Sequence, residues 1–456
     1  MSLDQTHWQS RLDALAAKHG IVGASLAIAK GDVTLVAATG VLNRRTGVRA
    51  TPDALFQVGS ITKVWTATLL MQLVDEGLLD FDAPIVRYLP HFRIADDAIT
   101  ATVTARQLLS HTSGIDGDLM TDTGRGDDAI DKYVSAMASL TRVIPPGSTM
   151  SYCNAGYSLL GKLVAQLRGK TWELVLRERL LKPLGLDSAG TLPEEAILHA
   201  AAVGHVVPPG ATAPIVTPAW DMPRGAAPAG RLHSTAAHQL AFARLHLAGG
   251  VAPDGTRLLS EASVVAMQKP HVAIPDRWSL GDHWGLGWIL AQWGDQPVYG
   301  HDGATLGQAA CLRILPKAGV VICLLMNGGR GPVQLFRELA GEIAPALAGV
   351  SPPTLPTPTP GLRVDPRRYV GTYSRVGCDV TVAEQDDGLA FTLQFTGDMA
   401  RLLTPTPETG ALVPHSEEVF LATLPSRPEP VPVVLFERDG TRYCHFSGRT
   451  APKRVD

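Results

Sequence analysis

The sequence predicts an α/β (α+β) fold in which one antiparallel sheet packs with many helices, followed by a small antiparallel β domain. Two observations predict it. Apolar segments of strand length lie near both ends of the first 348 residues, with helical spacing between them. A proline-rich segment then precedes several short β-type segments. Because strands from both ends flank a helical middle, we expect one sheet that the late strands complete.

Prolines mark the predicted domain boundary. Residues 351–360 read Ser-Pro-Pro-Thr-Leu-Pro-Thr-Pro-Thr-Pro, which is too rich in proline for a helix or a central strand. Such a segment is typical of an extended, semi-rigid linker. We therefore predict a large domain over residues 1–348, a linker over 349–361 and a β domain over 362–456.

Apolar spacing predicts the elements of the large domain. Residues 22–29 and 33–38 predict a β-hairpin around a Lys-Gly-Asp turn, and residues 320–326 predict a buried strand followed by a helix through residue 348. Helical spacing of apolar residues recurs in three segments, 61–77, 154–167 and 234–247. The first 20 residues predict a further amphipathic helix.

The C-terminal region has the pattern of short strands. Five short segments are predicted to be β-strands: residues 369–373, 379–382, 389–393, 431–436 and 442–446. Asp-Asp-Gly at 386–388 and Arg-Asp-Gly at 438–440 are typical of the turns between such strands. An antiparallel barrel or a sandwich fits this pattern.

Composition excludes several functions. Lys+Arg 40 against Asp+Glu 43 gives a net charge of −3, so no positive excess is present to bind a nucleic-acid backbone. No apolar run approaches the roughly 20 residues of a membrane span, and none is expected to insert. The N-terminal segment has no signal-peptide pattern, so we expect a cytoplasmic protein. The five cysteines form no metal-site spacing and are expected to be free core thiols, and no phosphate loop or zinc motif indicates a cofactor.

The strongest chemical signal is Ser60-Ile-Thr-Lys63 at the start of the predicted central helix. Side chains three residues apart lie on one face of a helix, so Lys63 can reach the Ser60 hydroxyl. A serine needs a base, and Lys63 can serve if burial and a neighbouring cation lower its pKa from ~10.4 towards neutrality. Taken alone, the pair is also compatible with an N-cap serine followed by a surface lysine.

Two further motifs follow in order along the chain. Tyr152-Cys-Asn154 stands at the start of an apolar helix, where the tyrosine can act as a phenolate or proton shuttle and the asparagine can orient an amide. Residues 299–307, Tyr-Gly-His-Asp-Gly-Ala-Thr-Leu-Gly, predict a glycine-rich turn before a strand, with His301 beside backbone that can approach a ligand.

With these three motifs, roughly residues 22–345 resemble the serine β-lactamase and penicillin-binding protein superfamily, specifically its class C β-lactamase-like branch. The resemblance implies an antiparallel sheet with an all-helical subdomain. It implies that Ser60 is the acylated nucleophile and Lys63 its base. It also implies that Tyr152 is a shuttle or deacylation base, and that Asn154 holds substrate and Lys63.

The resemblance also places His301-Asp-Gly303 where the family has Lys-Thr-Gly. The backbone N–H groups of Ser60 and Ala304 would then form the oxyanion hole. His301 weakens the fixed positive charge of that position, because an unperturbed histidine titrates near 6.5. His111, within a further family landmark at 108–114, is interpreted as a hydrogen-bonded scaffold residue.

Four residues are weaker candidates for substrate binding. Asp302 and Gly303 adjoin His301 in the third motif. Arg449 could bind a substrate carboxylate from the second domain, although a solvated arginine beside a turn explains it equally well. Trp288, with Trp284 four residues before it, could line an acyl pocket or belong to the core.

The accessory β domain helps to predict which group accepts the acyl chain from Ser60. A domain of this kind is similar to the lipocalin-like domain of D-peptidases and of penicillin-binding-protein-type thioesterases that release nonribosomal peptides as rings. That resemblance implies a peptidyl thioester or ester substrate, with a peptidyl carrier protein as the donor, and release by cyclisation. The alternative is an esterase or D-amino-acid-specific peptidase or amidase, and a third reading is a peptide receptor without turnover.

Overall fold

The protein is described by a computed structural model that covers residues 3–208, 211–220, 222–385, 388–402, 406–427 and 429–455. An antiparallel sheet forms the centre of the large domain. The strands of this domain are β1 (Gly23–Lys30), β2 (Val33–Gly40), β3 (Phe56–Gln57), β4 (His205–Val206), β5 (Ile215–Val216), β6 (His233–Ser234), β7 (Val272–Ala273), β8 (His283–Trp284), β9 (Ile289–Trp293), β10 (Gln296–Thr305), β11 (Gln308–Leu315) and β12 (Val320–Met326). Among the described residues, eight of them form this sheet in the order β2-β1-β12-β11-β10-β9-β8-β7.

Helices cover both faces of the sheet. The first and last helices pack on one face with the apolar side chains of β1 and β12, and the others form the larger core on the opposite face. The helices are α1 (Gln5–Lys18), α2 (Thr62–Asp75), α3 (Asp97–Thr102), α4 (Ala105–Leu109), α5 (Ala129–Ala136), α6 (Asn154–Arg168), α7 (Trp172–Leu176), α8 (Pro193–Ala196), α9 (Ala227–Gly230), α10 (Ala236–Leu247), α11 (Glu261–Met267) and α12 (Pro332–Ala348).

The sheet joins the two ends of the large domain. β1 pairs with β12, with Ala24 opposite Met326 and Lys30 opposite Val320. Every residue of β12 is buried, which explains why its sequence is a continuous apolar run without alternation. The prediction that late strands complete the sheet is therefore confirmed.

The C-terminal part is an antiparallel barrel. Its strands follow chain order, and Tyr373 of the first strand bridges Lys453 next to the last, which nearly closes the barrel. The elements are β13 (Gly371–Arg375), β14 (Cys378–Gln385), β15 (Gly388–Phe395), α13 (Gly397–Leu402), β16 (Glu408–Pro414), β17 (Val419–Ala422), β18 (Val431–Arg438), β19 (Thr441–Phe446) and β20 (Arg449–Pro452). The five predicted strands are present, and β16, β17 and β20 were not predicted. Asp386 and Asp387 of one predicted turn lie outside the described residues.

One prediction about the third motif is wrong. Residues 299–305 are not a turn but the second half of strand β10, and the turn comes at Leu306 and Gly307. The glycines serve close packing instead. A Cβ on Gly300 would lie 2.0 Å from the carbonyl oxygen of Leu312, and one on Gly303 would lie 1.9 Å from that of Val58.

The barrel is attached directly to the large domain. Tyr152 donates its backbone N–H to the carbonyl of Gly448 at 2.9 Å, and Thr450 donates to Ser151 Oγ at 3.1 Å. All five cysteines are buried and unpaired, as predicted. No helix among the described residues has the length and apolar character needed to cross a membrane.

Candidate active site

Ser60 and Lys63 meet at the beginning of α2. Ser60 lies in a single 3₁₀ turn, Gly59–Ile61, that leads into the helix, and Lys63 Nζ lies 3.2 Å from Ser60 Oγ. Lys63 is 0% exposed, because this helix passes through the core and nearly all of its side chains are buried. Ser60 is partly exposed and lines the cleft. The N-cap and surface-lysine alternative is therefore wrong.

Three oxygen atoms surround the Lys63 nitrogen. Besides Ser60 Oγ, Asn154 Oδ1 lies at 2.8 Å and the Ala229 carbonyl at 2.6 Å. Burial lowers the pKa of Lys63 well below its usual value, and the Arg449 charge lowers it further, against the opposing effects of Asp118 and Cys153. A neutral amine can donate its two hydrogens to Asn154 and Ala229, which leaves its lone pair for the Ser60 hydroxyl.

Tyr152 lies over this pair. Its ring centre is 4.8 Å from Lys63 Nζ. Burial raises the pKa of Tyr152, although the nearby Ser60 side chain and the Arg449 charge lower it. The phenol is therefore the stable form at neutral pH, which favours a proton shuttle over a phenolate.

His111 packs against the Tyr152 ring. Its ring lies 4.3 Å from that of Tyr152, and its Nδ1 accepts the backbone N–H of Cys153 at 3.0 Å. The residue is fully buried with a φ of 56°. These contacts agree with the predicted scaffold role.

Strand β10 brings His301 to the cleft. Its Nδ1 lies 2.6 Å from the Asp302 carbonyl, and its Nε2 has no hydrogen-bond partner among the described residues. Burial lowers the pKa of His301 to about 3, and the Lys63 charge contributes. The imidazole is therefore neutral at physiological pH, so this position carries no fixed positive charge.

Two glycines bring the predicted oxyanion donors together. A Cβ on Gly59, which has a φ of +52°, would lie 2.5 Å from Ala304 N, and a Cβ on Gly303 would lie 2.9 Å from Ser60 N. Only glycine permits so close an approach. The N–H groups of Ser60 and Ala304 thus come to the same end of the cleft, as a pair of oxyanion donors requires.

The barrel contributes Arg449. Its guanidinium carbon lies 4.8 Å from the centre of the Tyr152 ring. Its Nε donates to Asp118 Oδ2 at 2.8 Å and its Nη2 to Asp118 Oδ1 at 3.2 Å. Arg449 is therefore an ion-paired part of the cleft wall and not a solvated arginine.

The weaker candidates differ in their placement. Asp302 lines the cleft, but its carboxylate binds Arg313 at 2.6 and 2.8 Å. The interpretation of Trp288 as a pocket residue is wrong. It is 0% exposed and packs in the larger of the two cores of this domain, with its ring 5.1 Å from those of Tyr299 and His246.

Sequence reasoning missed Asp118 and Arg375. Asp118 accepts a hydrogen bond from Asn154 Nδ2 at 2.9 Å, and Arg375 of the barrel donates to it at 2.8 Å. Asp116 and Asp118 follow the landmark at 108–114 within four residues, and this proximity was a local signal that could have identified them. The arginine partners of Asp118 lie more than 250 residues away along the chain, and no local pattern links them to it.

The cleft lies between the two domains and has a volume of about 1610 Å³. Apolar side chains that line it include Leu119, Met120, Tyr133, Met222 and Ala226. Residues 406–409 and 425–427 of the barrel also line it. Among the described residues, no group of three or more histidine, cysteine or acidic side chains is arranged to hold a metal ion.

Comparison with known proteins identifies a family and several similar proteins. The profile of the Beta-lactamase family matches residues 8–344. "Penicillin-binding protein 4" of Amycolatopsis lactamdurans is 48% identical over 389 residues, which cover 83% of this chain and 99% of that protein.

Solved structures that are similar at 25% identity or more include SurE and a D-amino acid amidase. The crystal structure of SurE covers 99% of both chains with a TM-score of 0.79 and 28% identity, and SurE has also been solved with D-Leu. The D-amino acid amidase from Ochrobactrum anthropi SV3, complexed with L-phenylalanine amide, has a TM-score of 0.60 and 26% identity. That match covers 72% of this chain and 91% of the amidase.

Proposed function

The chain belongs to the Beta-lactamase family of serine hydrolases and acyltransferases, and within this family we propose that it acts as a peptide cyclase. In the proposed reaction a peptidyl group is transferred from a thioester to Ser60. The N-terminal amine of the same peptide then attacks the ester and releases a head-to-tail ring.

The first step is acylation. Ser60 Oγ attacks the thioester carbonyl while its proton passes to Lys63 Nζ, and the N–H groups of Ser60 and Ala304 donate to the oxygen that becomes negative. The C–S bond then breaks, and the departing thiolate takes the proton from Lys63 through the Tyr152 hydroxyl. The products of this step are a peptidyl ester of Ser60 and a free thiol.

The second step is aminolysis. The peptide amine attacks the ester carbonyl and loses a proton through Tyr152 to Lys63. Ser60 Oγ then leaves and recovers that proton, so a peptide bond replaces the ester and the enzyme is regenerated. Water would compete at this point, and a cleft that encloses the ester favours the tethered amine.

The observation that carries the proposal is the size of the cleft and its lining by residues of both domains. Its 1610 Å³ exceeds the ~300–1,000 Å³ of sites for small ligands, and residues from both domains line it. A folded-back peptide needs such room, whereas a single small acyl group does not. The likeness to SurE covers 99% of both chains, so it includes the barrel as well as the large domain.

The stereochemistry of the acyl group is part of the proposal. SurE has been solved with D-Leu, and the amidase is named for D-amino acids. We therefore place a D-residue at the acylating end of the peptide. A peptidyl carrier protein is the proposed natural donor of the thioester.

The test uses a linear peptide with a free N-terminal amine and a C-terminal D-residue as its N-acetylcysteamine thioester. We expect the cyclic peptide as the main product by liquid chromatography and mass spectrometry, and none with the Ser60→Ala variant. The same peptide with an acetylated N-terminus is the matched control, since it can acylate Ser60 but cannot close. If the free-amine substrate yields only linear acid, the protein is not a cyclase.

A hydrolase is the second candidate, and the likeness to the D-amino acid amidase over 91% of that chain favours it. In this case water, and not the tethered amine, resolves the ester on Ser60. Turnover of D-phenylalanine amide or of p-nitrophenyl esters at rates matching that of the peptidyl thioester would favour the hydrolase. A stable adduct on Ser60 without product, seen by intact-mass spectrometry, would instead indicate a receptor.

A further inference from the structure

Asp118 lies between the barrel and Asn154, the residue whose amide oxygen binds Lys63. We propose that Asp118 is a positioning residue for acyl transfer, which orients the Asn154 amide towards Lys63 and is itself held by Arg375 and Arg449 of the barrel. The inference rests on the acylation of Ser60 in the proposed function. It makes the barrel a part of the catalytic centre and not only a part of the cleft wall.

The first step of the argument is the orientation of the Asn154 amide. Its Oδ1 lies 2.8 Å from Lys63 Nζ, and its Nδ2 donates to Asp118 Oδ1 at 2.9 Å. An ionised carboxylate only accepts hydrogen bonds, so Asp118 binds the NH₂ end of the amide and excludes the flipped rotamer. The oxygen end must then face Lys63. With the amide reversed, the NH₂ group would face the lysine and could not accept its hydrogen.

The second step is the charge state of Asp118. Its side chain is 7% exposed, and burial alone would raise its pKa. Arg449 and Arg375 overcome this effect and lower the pKa of Asp118 to about 2. The carboxylate therefore remains ionised at every pH at which the enzyme would work, and both positive charges that keep it so come from the barrel.

The third step is the path from the barrel to the lysine. Arg375 on β13 donates to Asp118 Oδ2 at 2.8 Å, and Arg449 on β20 donates to both oxygens. Because β13 and β20 adjoin where the barrel nearly closes, the two arginines reach one carboxylate. A buried carboxylate without these partners would be costly, so docking of the barrel and ordering of Asn154 are coupled.

Asp116 offers a matched control. It is two residues from Asp118 and also binds the barrel, through the backbone N–H of Val376 at 2.6 Å. Its replacement by asparagine disturbs the same junction without removing the acceptor that Asn154 uses. The effect of Asp118 through Asn154 can thus be separated from a general loosening of the barrel.

The experiment measures the rate of Ser60 acylation by p-nitrophenyl butyrate in the full-length chain, by product release and intact mass. In Asp118→Asn the residue at 118 can present either end of its amide, so Asn154 can flip. We expect the second-order rate constant to fall about 10- to 100-fold, the range for partners that orient a functional group. Asp116→Asn is expected to stay within about threefold of the wild type.

The pH profile separates positioning from simple loss of structure. The titratable and charged groups around Lys63 are Asp118, Arg449, Cys153, Tyr152, Tyr157, His111 and His301. Asp118 raises the pKa of Lys63 and Arg449 lowers it. The acidic limb of the acylation profile should therefore move to lower pH in Asp118→Asn and to higher pH in Arg449→Gln. If Asp118 had only a structural role, the acidic limb would not move in opposite directions in these two variants.

A second variant keeps the proposal open to refutation if Asp118→Asn folds poorly. Arg375→Gln removes one barrel charge from Asp118 without touching Asn154 or Lys63, and we expect about a tenfold fall in acylation. If Asp118→Asn and Arg375→Gln both acylate Ser60 at the wild-type rate and keep the wild-type pH profile, this inference is wrong and the proposed function still stands. Failure of the wild type to form the acyl ester on Ser60 overturns the proposed function, and this inference with it.

Discussion

Lys63 Nζ lies 3.2 Å from Ser60 Oγ, with the lysine fully buried and the serine open to the cleft. Burial favours the neutral amine, and the two nearest carbonyl-type oxygens engage its hydrogens. This arrangement directs the lysine lone pair at the serine hydroxyl. It is the physical basis for assigning Lys63 as the base that activates Ser60.

Replacement of Lys63 by methionine should abolish this activation while preserving the packing. We expect the rate of Ser60 acylation to fall about 10²- to 10⁴-fold, the usual contribution of a general base. The unfolding temperature should not fall, because a buried amine is exchanged for an apolar chain of similar length. Lys63→Arg is the control for charge, since a guanidinium cannot act as the base. Acylation by either variant near the wild-type rate would contradict the assignment.

The acylation rate should depend on pH in the manner of a base with a lowered pKa. The rate should rise as Lys63 loses its proton and should level off well below pH 10, because burial and Arg449 lower the pKa of Lys63. A stopped-flow pH series with a chromogenic ester measures this limb. A rate that is still rising at pH 10 would mean that Lys63 titrates as an ordinary surface lysine.

Tyr152→Phe tests the shuttle role. Burial raises the pKa of Tyr152, so its hydroxyl carries a proton at neutral pH and can pass it between Lys63 and the leaving group. We expect acylation to fall about 10²-fold, within the usual range for a group that transfers a proton. The ring contacts to His111 and Lys63 should persist, and circular dichroism with thermal unfolding would check this. An unchanged rate would remove Tyr152 from the proton path.

Gly303→Ala should impair the oxyanion hole. The added Cβ would lie 1.9 Å from the Val58 carbonyl oxygen and 2.9 Å from Ser60 N, so β10 must move away from the nucleophile. We expect a loss of acylation of about 10²-fold, comparable to losing one oxyanion donor. Gly341→Ala, in helix α12 with nothing within 4 Å of the new Cβ, is the control. It should leave the rate unchanged and stabilise the helix by up to about 1 kcal/mol.

Stability should fall as the pH drops from 7 to 5. Burial is the main cause that lowers the pKa of four histidines to about 3: His233, His246, His301 and His445. Their folded forms stay neutral while the unfolded chain takes up protons below ~6.5, so acid favours unfolding and each of these histidines adds to the loss of stability.

Asp116 acts in the opposite direction. Its pKa is raised to about 6 by burial, so the folded protein takes up this proton before the unfolded chain does. Asp116→Asn should therefore steepen the loss of stability towards pH 5. Urea unfolding at pH 7, 6 and 5 for both proteins measures the two slopes. A wild-type stability that is flat over this range would contradict the neutral buried histidines.

Local patterns predicted most of the elements correctly. The hairpin, β12, α2, α6 and α12 all lie within a few residues of their predicted bounds, because each has a continuous or periodic apolar pattern. Short strands such as β17 and β20 were missed because they carry too few residues for a period. The third motif was read as a turn because glycine serves turns and close packing alike, and only the neighbouring strand and the 3₁₀ turn show which applies.

Spacing along the chain was enough to predict the large mixed domain, the β domain and the three motifs that contain Ser60, Lys63, Tyr152, Asn154 and His301. It could not predict that Arg449 and Arg375 reach the site, that Asp118 connects them to Asn154, or that Trp288 is buried in the core. These features depend on contacts between distant segments, and the burial that lowers the pKa values of Lys63 and His301 arises only when those segments pack together.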